Sequence, residues 1–474
     1  MNRREMLKAG AAAVASALVD MPAVGSEGRR GKPNVVFVFA DQWRAQATGY
    51  ASDTNARTPH LDRLAARSVN FTNAVSCCPV CSPYRASLLT GQYPLTHGVF
   101  LNDVPLRNEA FSLAEVYRRA GYQTAYIGKW HLDGNHRSAF IPRQRRQGFE
   151  FWKVLGCTHA YNHSLYYGDE DVKLRWEGYD SIAQTREAQQ YIRDHAGDSP
   201  FLLVLSWGPP HDPYETAPQK YRDLFTPESI TLRPNVPEQD KDRARQAAAG
   251  YYAHIAALDD CLGDLLETLR ETGIERNTIF VFTSDHGDML YSHGQTHKQR
   301  PYDESIRVPF LLRYPALLGE KAVTIEMPIN APDIMPTLLG LGDISMPNTV
   351  EGTDFSDVVK GSPAGDSAAL IACYAPFGQW TRARGGREYR GVRTRQYTYV
   401  RDLNGPWLLY DNQNDPYQLE NLCNKPGYTA LQTRMDVLLS ERLQQTKDKF
   451  LPGGDYIRQW AYEVDDSGTV RYTN

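Results

Sequence analysis

Long apolar runs are missing from this chain, and so is a dominant charge of one sign. The Ala-rich stretch from Ala9 to Val19 is too short to cross a bilayer, which takes about 20 residues, and no later segment reads as transmembrane. Acidic and basic side chains nearly balance, at 56 and 52, for a net charge of −4. No basic stripe marks a nucleic-acid surface. Cysteine is sparse and irregularly spaced: Cys77, Cys78, Cys81, Cys157, Cys261, Cys373 and Cys423 do not make a disulfide framework. A closed zinc site is also disfavoured, because the 77–81 cysteines have no second Cys/His pair at ligand spacing downstream. Internal repeats and long low-complexity tracts are absent as well.

What is present is a chain of 474 residues, too long for one simple core. It predicts two domains, or one large domain with an appendage. Apolar residues at 41% and charged residues at 23% fit a soluble globular protein. The 28 tyrosines suit either a half-buried core or a surface for polar ligands such as sugars. At the N-terminus, Arg3-Arg4 followed by Met6-Leu7-Lys8 and the short apolar run resembles a twin-arginine export signal, with a cleavage point near Ala23-Val24-Gly25. Residues 1–28 are therefore read as signal and linker. That reading implies the twin-arginine export machinery as a partner, a periplasmic or extracellular bacterial location, and no membrane span in the mature chain.

Asn34 to Ala40 is a nearly continuous Val/Phe run, which predicts a parallel strand buried on both faces. It ends at Asp41-Gln42, where open α/β sheets place their ligands. A helix start follows at Thr58-Pro59. An amphipathic stretch covers 111–120, stopping at Gly121, and strands are predicted at 123–127, 201–206 and 278–283. The clearest helix is 250–272, with Ile255, Leu258, Leu262, Leu265, Leu266 and Leu269 at helical spacing and Gly273 as its stop. Strands alternating with helices predict an α/β fold: a large mixed, mostly parallel sheet sandwiched by helices. From about residue 365 the pattern changes. Polar–apolar alternation over Tyr389 to Val400, turns at Asn404-Gly405 and Asp411-Asn412, and a helix over 429–446 predict a smaller C-terminal subdomain with a short antiparallel sheet. The division expected is a catalytic domain at 29–365 and a subdomain at 366–474.

Chemistry concentrates in Cys81-Ser82-Pro83-Tyr84-Arg85, followed by Thr90-Gly91. Ser82 is a good N-cap, Pro83 fits the first helical position and Gly91 suits the stop. Cys81 would then sit just ahead of a helix N-terminus, where N–H groups and the dipole favour negative charge. Either a reactive thiolate or a buried thiol before a capped helix satisfies that pattern. Asp41-Gln42 and Asp285-His286 lie at the ends of two strand patterns. Two polar pairs so placed, each with an Asp, are explained by a shared hard cation, Ca²⁺ or Mg²⁺.

Cys81-x-Pro83-x-Arg85 followed by a helix and Thr90-Gly91 resembles the signature of type I sulfatases, in the alkaline phosphatase superfamily. The resemblance runs through Asp41-Gln42, Thr58-Pro59, Gly128-Lys129-Trp130-His131, Pro210-His211, Ser284-Asp285-His286-Gly287, Lys298, Arg307-Val308-Pro309 and Leu409-Tyr410-Asp411. It implies that a separate maturation enzyme oxidises Cys81 to formylglycine. One hydroxyl of the hydrated aldehyde attacks sulfur and expels the alcohol; the other is deprotonated so that sulfate leaves. It implies Ca²⁺ held by Asp41, Gln42, Asp285, His286 and the residue at Cys81. Many members carry Asp where this chain has Gln42. It implies that Arg85, Lys129 and Lys298 surround the sulfate, that His131 supports the formylglycine hydroxyl and that His211, with Lys298, protonates the leaving oxygen. His60, His97, His195 and His254 are read as structural, and His136, His159, His163, His293 and His297 stay open. Trp207, Tyr214, Trp380 and Trp407 could offer sugar-facing rings but are read first as packing residues. The expected activity is hydrolysis of sulfate monoesters on carbohydrates such as polysaccharide or glycosaminoglycan fragments. The alternatives are an arylsulfatase for small esters and a phosphonate or phosphate ester hydrolase of the same superfamily.

Overall fold

Alternate residues of one strand divide the core in two. In Asn34–Asp41, Val35, Phe37 and Phe39 join one apolar cluster, while Val36, Val38 and Ala40 join another. Successive side chains of a strand point to opposite faces, so the sheet is covered on both sides, as its unbroken apolar run predicts. The computed structural model describes residues 31–474, and the export-signal expectation lies outside the described residues.

Asn34–Asp41 lies inside an eight-stranded sheet. It runs parallel to Phe201–Pro210 on one side and Thr278–Ser284 on the other. Gln123–Lys129 and then Phe151–Leu155 extend the parallel array. At the far edge Phe310–Arg313 is antiparallel to Thr278–Ser284 and to Val69–Phe71, and Val323–Ile325 pairs parallel to the last of these. On one face, helices Cys81–Thr90 and Ala331–Leu341 bury Tyr84, Leu88, Ile334 and Leu338. On the other, helices Pro59–Ala65, Asp180–His195 and Lys241–Glu271 bury Leu61, Ile192 and Leu258. This is the α/β sandwich expected.

Strands Ala368–Cys373, Tyr389–Thr394, Tyr397–Asp402 and Gly405–Asp411 form the expected antiparallel sheet. Helix Thr429–Gln445 lays Met435 and Leu439 on its Leu370, Val392 and Leu409 face. Lys32–Asn474 is one compact unit, and the opposite face of this sheet packs Ile371 and Val400 against Met289 and Ile306.

Three differences from the sequence reading have physical causes. The long helix begins at Lys241 rather than near 250, because its first turns bury only the small Ala244, Ala248 and Ala249. Helix Asp180–His195 escaped notice because its inward stripe is partly polar, with Ser181, Gln184 and Thr185 buried beside Ala188 and Ile192. The helix carrying Cys81 starts two residues earlier than predicted: Val80 is the N-cap and no side chain caps it. Ser82 is not the cap, because its hydroxyl donates to the His131 carbonyl at 2.7 Å, while Asn102 Oδ1 accepts from its N–H at 3.0 Å.

That helix is tied down by a packing histidine. His97 Nδ1 accepts from Val99 N–H at 3.1 Å, which leaves Nε2 to donate to Ser87 Oγ at 3.0 Å. Burial pushes the imidazole down to about 3. A base depressed in the folded state adds stability above its unfolded value, and this stability is lost as pH falls toward the folded one. We expect denaturant midpoints to drop between pH 6.5 and pH 3, with several kcal/mol of that loss, about 1.4 per pH unit, missing in His97→Gln. An equal acid loss in both proteins would exclude His97 as its source.

Candidate active site

The parallel strands deliver their polar residues to one edge of the sheet. Asp41 ends the Asn34–Asp41 strand, Lys129 ends Gln123–Lys129, Ser206 and Pro210-His211 close Phe201–Pro210, and Asp285-His286 follow Ser284. Crowding there is severe: Gly128 has φ 105°, and a Cβ on it would lie 2.0 Å from the Ser206 carbonyl oxygen. Gln42 (φ 72°) and His131 (φ 56°) adopt left-handed backbone that a side chain makes costly. Such strain is tolerated where the surroundings fix it, commonly at working sites.

Cys81, in the first helical position, points its sulfur into this edge. Sγ lies 3.3 Å from His286 Nε2, 3.2 Å from Lys298 Nζ, 3.6 Å from Asp41 Oδ1 and 3.9 Å from Lys129 Nζ. One turn on, Arg85 donates to Asp41 Oδ2 at 3.0 Å, Asp285 Oδ2 at 3.1 Å, Ser206 Oγ at 2.7 Å and the Lys129 carbonyl at 2.8 Å. Lys129 Nζ donates to Asp41 Oδ2 at 2.6 Å. Lys298 Nζ also donates to Gln42 Oε1 at 3.2 Å and His211 Nε2 at 2.7 Å. All of these side chains are buried.

Charge explains the titration. Burial and Asp41 oppose ionisation of the Cys81 thiol, yet Lys129, Lys298 and His286 hold it well below its usual range. Burial also opposes ionisation of Asp41, but Lys129, His211, Lys298 and Arg85 keep its carboxyl well below the ordinary value. Asp285 goes the other way, to about 6, through burial and then repulsion from Asp41. Two buried carboxylates in one site are relieved by a cation between them. The donor set fits one: single atoms of Asp41, Cys81, Asp285 and His286 all lie within 4.8 Å of one another. His286 directs Nδ1 to the Gly287 carbonyl at 3.0 Å, so the Nε2 lone pair faces the cluster. Gln42 gives its Nε2 to Asp288 Oδ2 at 2.8 Å, which turns its carboxamide oxygen toward Lys298. A second grouping, His60 with Asp259 and Asp260, is already used: Asp259 accepts from the His60 and Leu61 N–H groups at 3.0 and 2.8 Å.

The two histidines are held differently. His211 Nδ1 faces Asp212, whose Oδ1 is 3.1 Å away, and its ring stacks on His159 at 4.6 Å. Burial and then Lys298 push its imidazole down. His131 Nε2 contacts Asp103 Oδ1 at 3.0 Å. Burial acts against its protonation, but Cys157, Asp103 and Cys81 beside it push it up to about 10.

Residues 33–344 match the sulfatase family, and residues 292–448 match the C-terminal region of N-sulphoglucosamine sulphohydrolase. The chain belongs to the sulfatase family. This sulfatase is 47% identical over 439 residues to an ulvan-active sulfatase of Formosa agariphila, covering 91% of this chain and 85% of that one. It is 30% identical over 485 residues to an endo-4-O-sulfatase of Bacteroides thetaiotaomicron, covering 86% and 92%. A structure from work on the metabolism of multiple glycosaminoglycans by Bacteroides thetaiotaomicron superposes with TM-score 0.79 at 26% identity, covering 91% and 99%. The sulfatase is accordingly a sulfuric ester hydrolase.

The structure thus gathers Asp41, Gln42, Cys81, Arg85, Lys129, His211, Asp285, His286 and Lys298 into one contact network, with His131 joined through Ser82. It adds residues that the sequence reading missed. Asp288 and Tyr214 brace Gln42, so Tyr214 is a site residue and not simply a packing one. Tyr251, on the long helix, donates to the Gln42 carbonyl at 2.8 Å. Of the histidines left open, His159 stacks on His211 and His297 Nδ1 lies 3.3 Å from Asp212 Oδ1. None of these positions had a sequence signal beyond closeness to a matched segment. Asp103 and Arg137 had none: Arg137 grips both Asp103 oxygens, at 2.8 and 2.7 Å, and Asp103 in turn holds His131.

Removing that grip should loosen the His131 ring. We expect Arg137→Ala to lower kcat about ten- to hundredfold, the usual cost of an outer-shell partner, with KM near its original value. Asp103→Asn should also move the limb of the pH–kcat profile that reports His131 to lower pH, because Asp103 raises that group. Unchanged kcat and an unmoved limb would show that the pair only braces the loop.

Proposed function

We propose that this sulfatase is an exported bacterial enzyme. It removes sulfate from carbohydrates, with Cys81 converted to formylglycine and Ca²⁺ as its resident ion. The observation that carries the mechanism is Cys81 itself: a buried side chain at a helix N-terminus, with Lys298, His286, Asp41 and Lys129 all within 3.9 Å of its sulfur. Sγ stands where the aldehyde carbon's oxygens would be after conversion. The hydrated aldehyde supplies a nucleophilic hydroxyl for sulfur and a second hydroxyl through which sulfate departs.

The chain's own residues then have distinct tasks. Asp41, Asp285 and His286 would hold the Ca²⁺, with Gln42 offering an uncharged oxygen beside them; the bound ion supplies fixed positive charge for a sulfate oxygen. Lys129 and Lys298 flank the nucleophile and present ammonium groups in a dry pocket, where charge developing on sulfate oxygens is strongly stabilised. Arg85 keeps Asp41 and Asp285 in register and is itself covered by Phe39, 4.8 Å away. His131, raised and oriented by Asp103, sits on the side where a nucleophile hydroxyl gains or loses its proton. His211 accepts from Lys298 at 2.7 Å. That pair keeps one mobile proton between two nitrogens for the departing alcohol oxygen. The carbohydrate assignment leans on relatives named for ulvan and endo-4-O-sulfate activity. Export rests on the twin-arginine pattern at Arg3-Arg4.

Peptide mass spectrometry of active enzyme should show the residue at Cys81 without its sulfur, as formylglycine. Cys81→Ala should cut sulfate release by about 1,000-fold or more, the scale of losing a nucleophile, while the folded spectrum persists. An intact thiol in fully active protein would overturn the mechanism. In parallel, desalted sulfated oligosaccharides should release sulfate faster than matched phosphate esters release phosphate; the reverse order would make the enzyme a phosphohydrolase. Chelation should remove the activity and Ca²⁺ should restore it.

A further inference from the structure

The C-terminal sheet carries a loop between strands Ala368–Cys373 and Tyr389–Thr394 that is stitched to the segment bearing Lys298. Trp380 Nε1 donates to the Thr296 carbonyl at 3.0 Å, Gln299 Nε2 to the Phe377 carbonyl at 3.0 Å and Arg300 to the Gly385 carbonyl at 3.0 Å. These two segments carry four arginines, Arg300, Arg382, Arg384 and Arg387, of which Arg384 is exposed. Glu388 pairs with Arg382, and Asp402 pairs with Arg387 at 2.8 Å. Among the described residues no carboxylate lies within ion-pair distance of Arg300 or Arg384. Two of the four positive charges are therefore left without a counter-ion.

Arg300 is the more informative of the two. It is only 6% exposed, and its guanidinium lies 4.6 Å from the Trp380 ring and 5.9 Å from Trp407. Its Nε donates to Gln295 and its other bonded nitrogen to Gly385, while NH2 has no acceptor among the described residues. A buried guanidinium without a carboxylate is costly unless something else supplies the anion. Arg387 stacks on the other ring, 4.7 Å from Trp407. Both indoles are partly exposed. Aromatic rings beside unneutralised arginines match an acidic sugar: the rings take its C–H face and the guanidinium takes its anion in fork geometry.

We propose that Arg300 and Arg384, with Trp380 and Trp407, form a subsite for the anionic group of a sugar next to the one whose sulfate is cleaved. The chemistry recognised is a planar or tetrahedral monoanion on a pyranose, either a uronate carboxylate or a second sulfate. This inference rests on the carbohydrate reading given above. Arg300 stands two residues beyond Lys298 in a segment fixed to the loop, so an occupied subsite would hold the chain of sugars relative to the scissile ester. The effect should appear in substrate binding rather than in bond cleavage.

The experiment is steady-state kinetics of the matured full-length enzyme on three substrates. They are 4-methylumbelliferyl sulfate, a uronate-containing sulfated tetrasaccharide, and that tetrasaccharide with its carboxylates reduced to alcohols. Arg384→Ala and Arg300→Gln should each raise KM for the native tetrasaccharide about tenfold, the scale of one charge-assisted hydrogen bond, and leave the aryl ester within about twofold. If carboxyl reduction removes the tetrasaccharide's advantage, the anion is the uronate; if the advantage and the arginine dependence survive reduction, it is a second sulfate. Either result supports the subsite. Equal losses on all three substrates, or no loss with either variant, would overturn it while leaving the carbohydrate assignment standing. A wild-type enzyme that cleaves only the aryl ester would overturn both.

Discussion

The site depends on one buried guanidinium. Arg85 reaches from the helix that carries Cys81 to the carboxylates of Asp41 and Asp285, which end two neighbouring parallel strands. Its other contacts, to Ser206 and the Lys129 carbonyl, reach the two strands beyond. A single side chain therefore sets the position of the helix that carries Cys81 against four strands. Breaking such a buried pair is costly, about 3–5 kcal/mol, because the carboxylates left behind are uncompensated. The same bond explains why the Cys-x-Pro-x-Arg spacing matters. Residues four apart lie on one helical face, so Cys81 and Arg85 address the same edge of the sheet, one with its sulfur and the other with its charge.

The arrangement is also a charge balance with a remainder. Arg85, Lys129 and Lys298 are buried cations, set against the carboxylates of Asp41 and Asp285. Asp285 is pushed up to about 6 by burial and then by repulsion from Asp41, which itself takes contacts from both Arg85 and Lys129. A divalent ion between the carboxylates would relieve that repulsion and leave a positive surplus for a sulfate ester. On the mechanism proposed, substrate binding and transition-state stabilisation would draw on the same fixed charges, at no cost of reorganisation during the reaction.

How much of this could be read from the chain follows the same logic. The strand Asn34–Asp41 was legible because burial on both faces forces a continuous apolar run, and its end marked the ligand edge. Cys81 was legible from the helix start that follows it and Asp285 from its strand end, whereas Arg85, Lys129 and Lys298 were legible only through the sulfatase resemblance. The outer supports were not. Asp103, Arg137, Asp288 and Tyr251 come from loops and from a distant helix, and their partners are 28 to 246 residues away in sequence. No local pattern encodes such a contact. The N-cap was misread for a similar reason: Ser82 has the right chemistry for a cap, but the His131 carbonyl competes for its hydroxyl.

The substitution at position 42 shows how the site tolerates losing a carboxylate. By the sulfatase resemblance, Gln42 stands where many members carry a carboxylate, so this chain has one negative charge fewer at that position. In this chain the nearest carboxylate moves one step outward, to Asp288, which accepts from Gln42 Nε2 at 2.8 Å and from the Tyr214 hydroxyl. The negative charge thus remains close, but it orients the carboxamide instead of competing for Lys298. With only a neutral oxygen as its partner at position 42, Lys298 keeps its other contacts for Cys81 and His211. A carboxylate at position 42 would draw that ammonium toward the ion-binding side and away from both. On the mechanism proposed, the glutamine would trade electrostatic pull on the ion for an ammonium directed at Cys81 and His211, the two groups on which cleavage of the ester would depend.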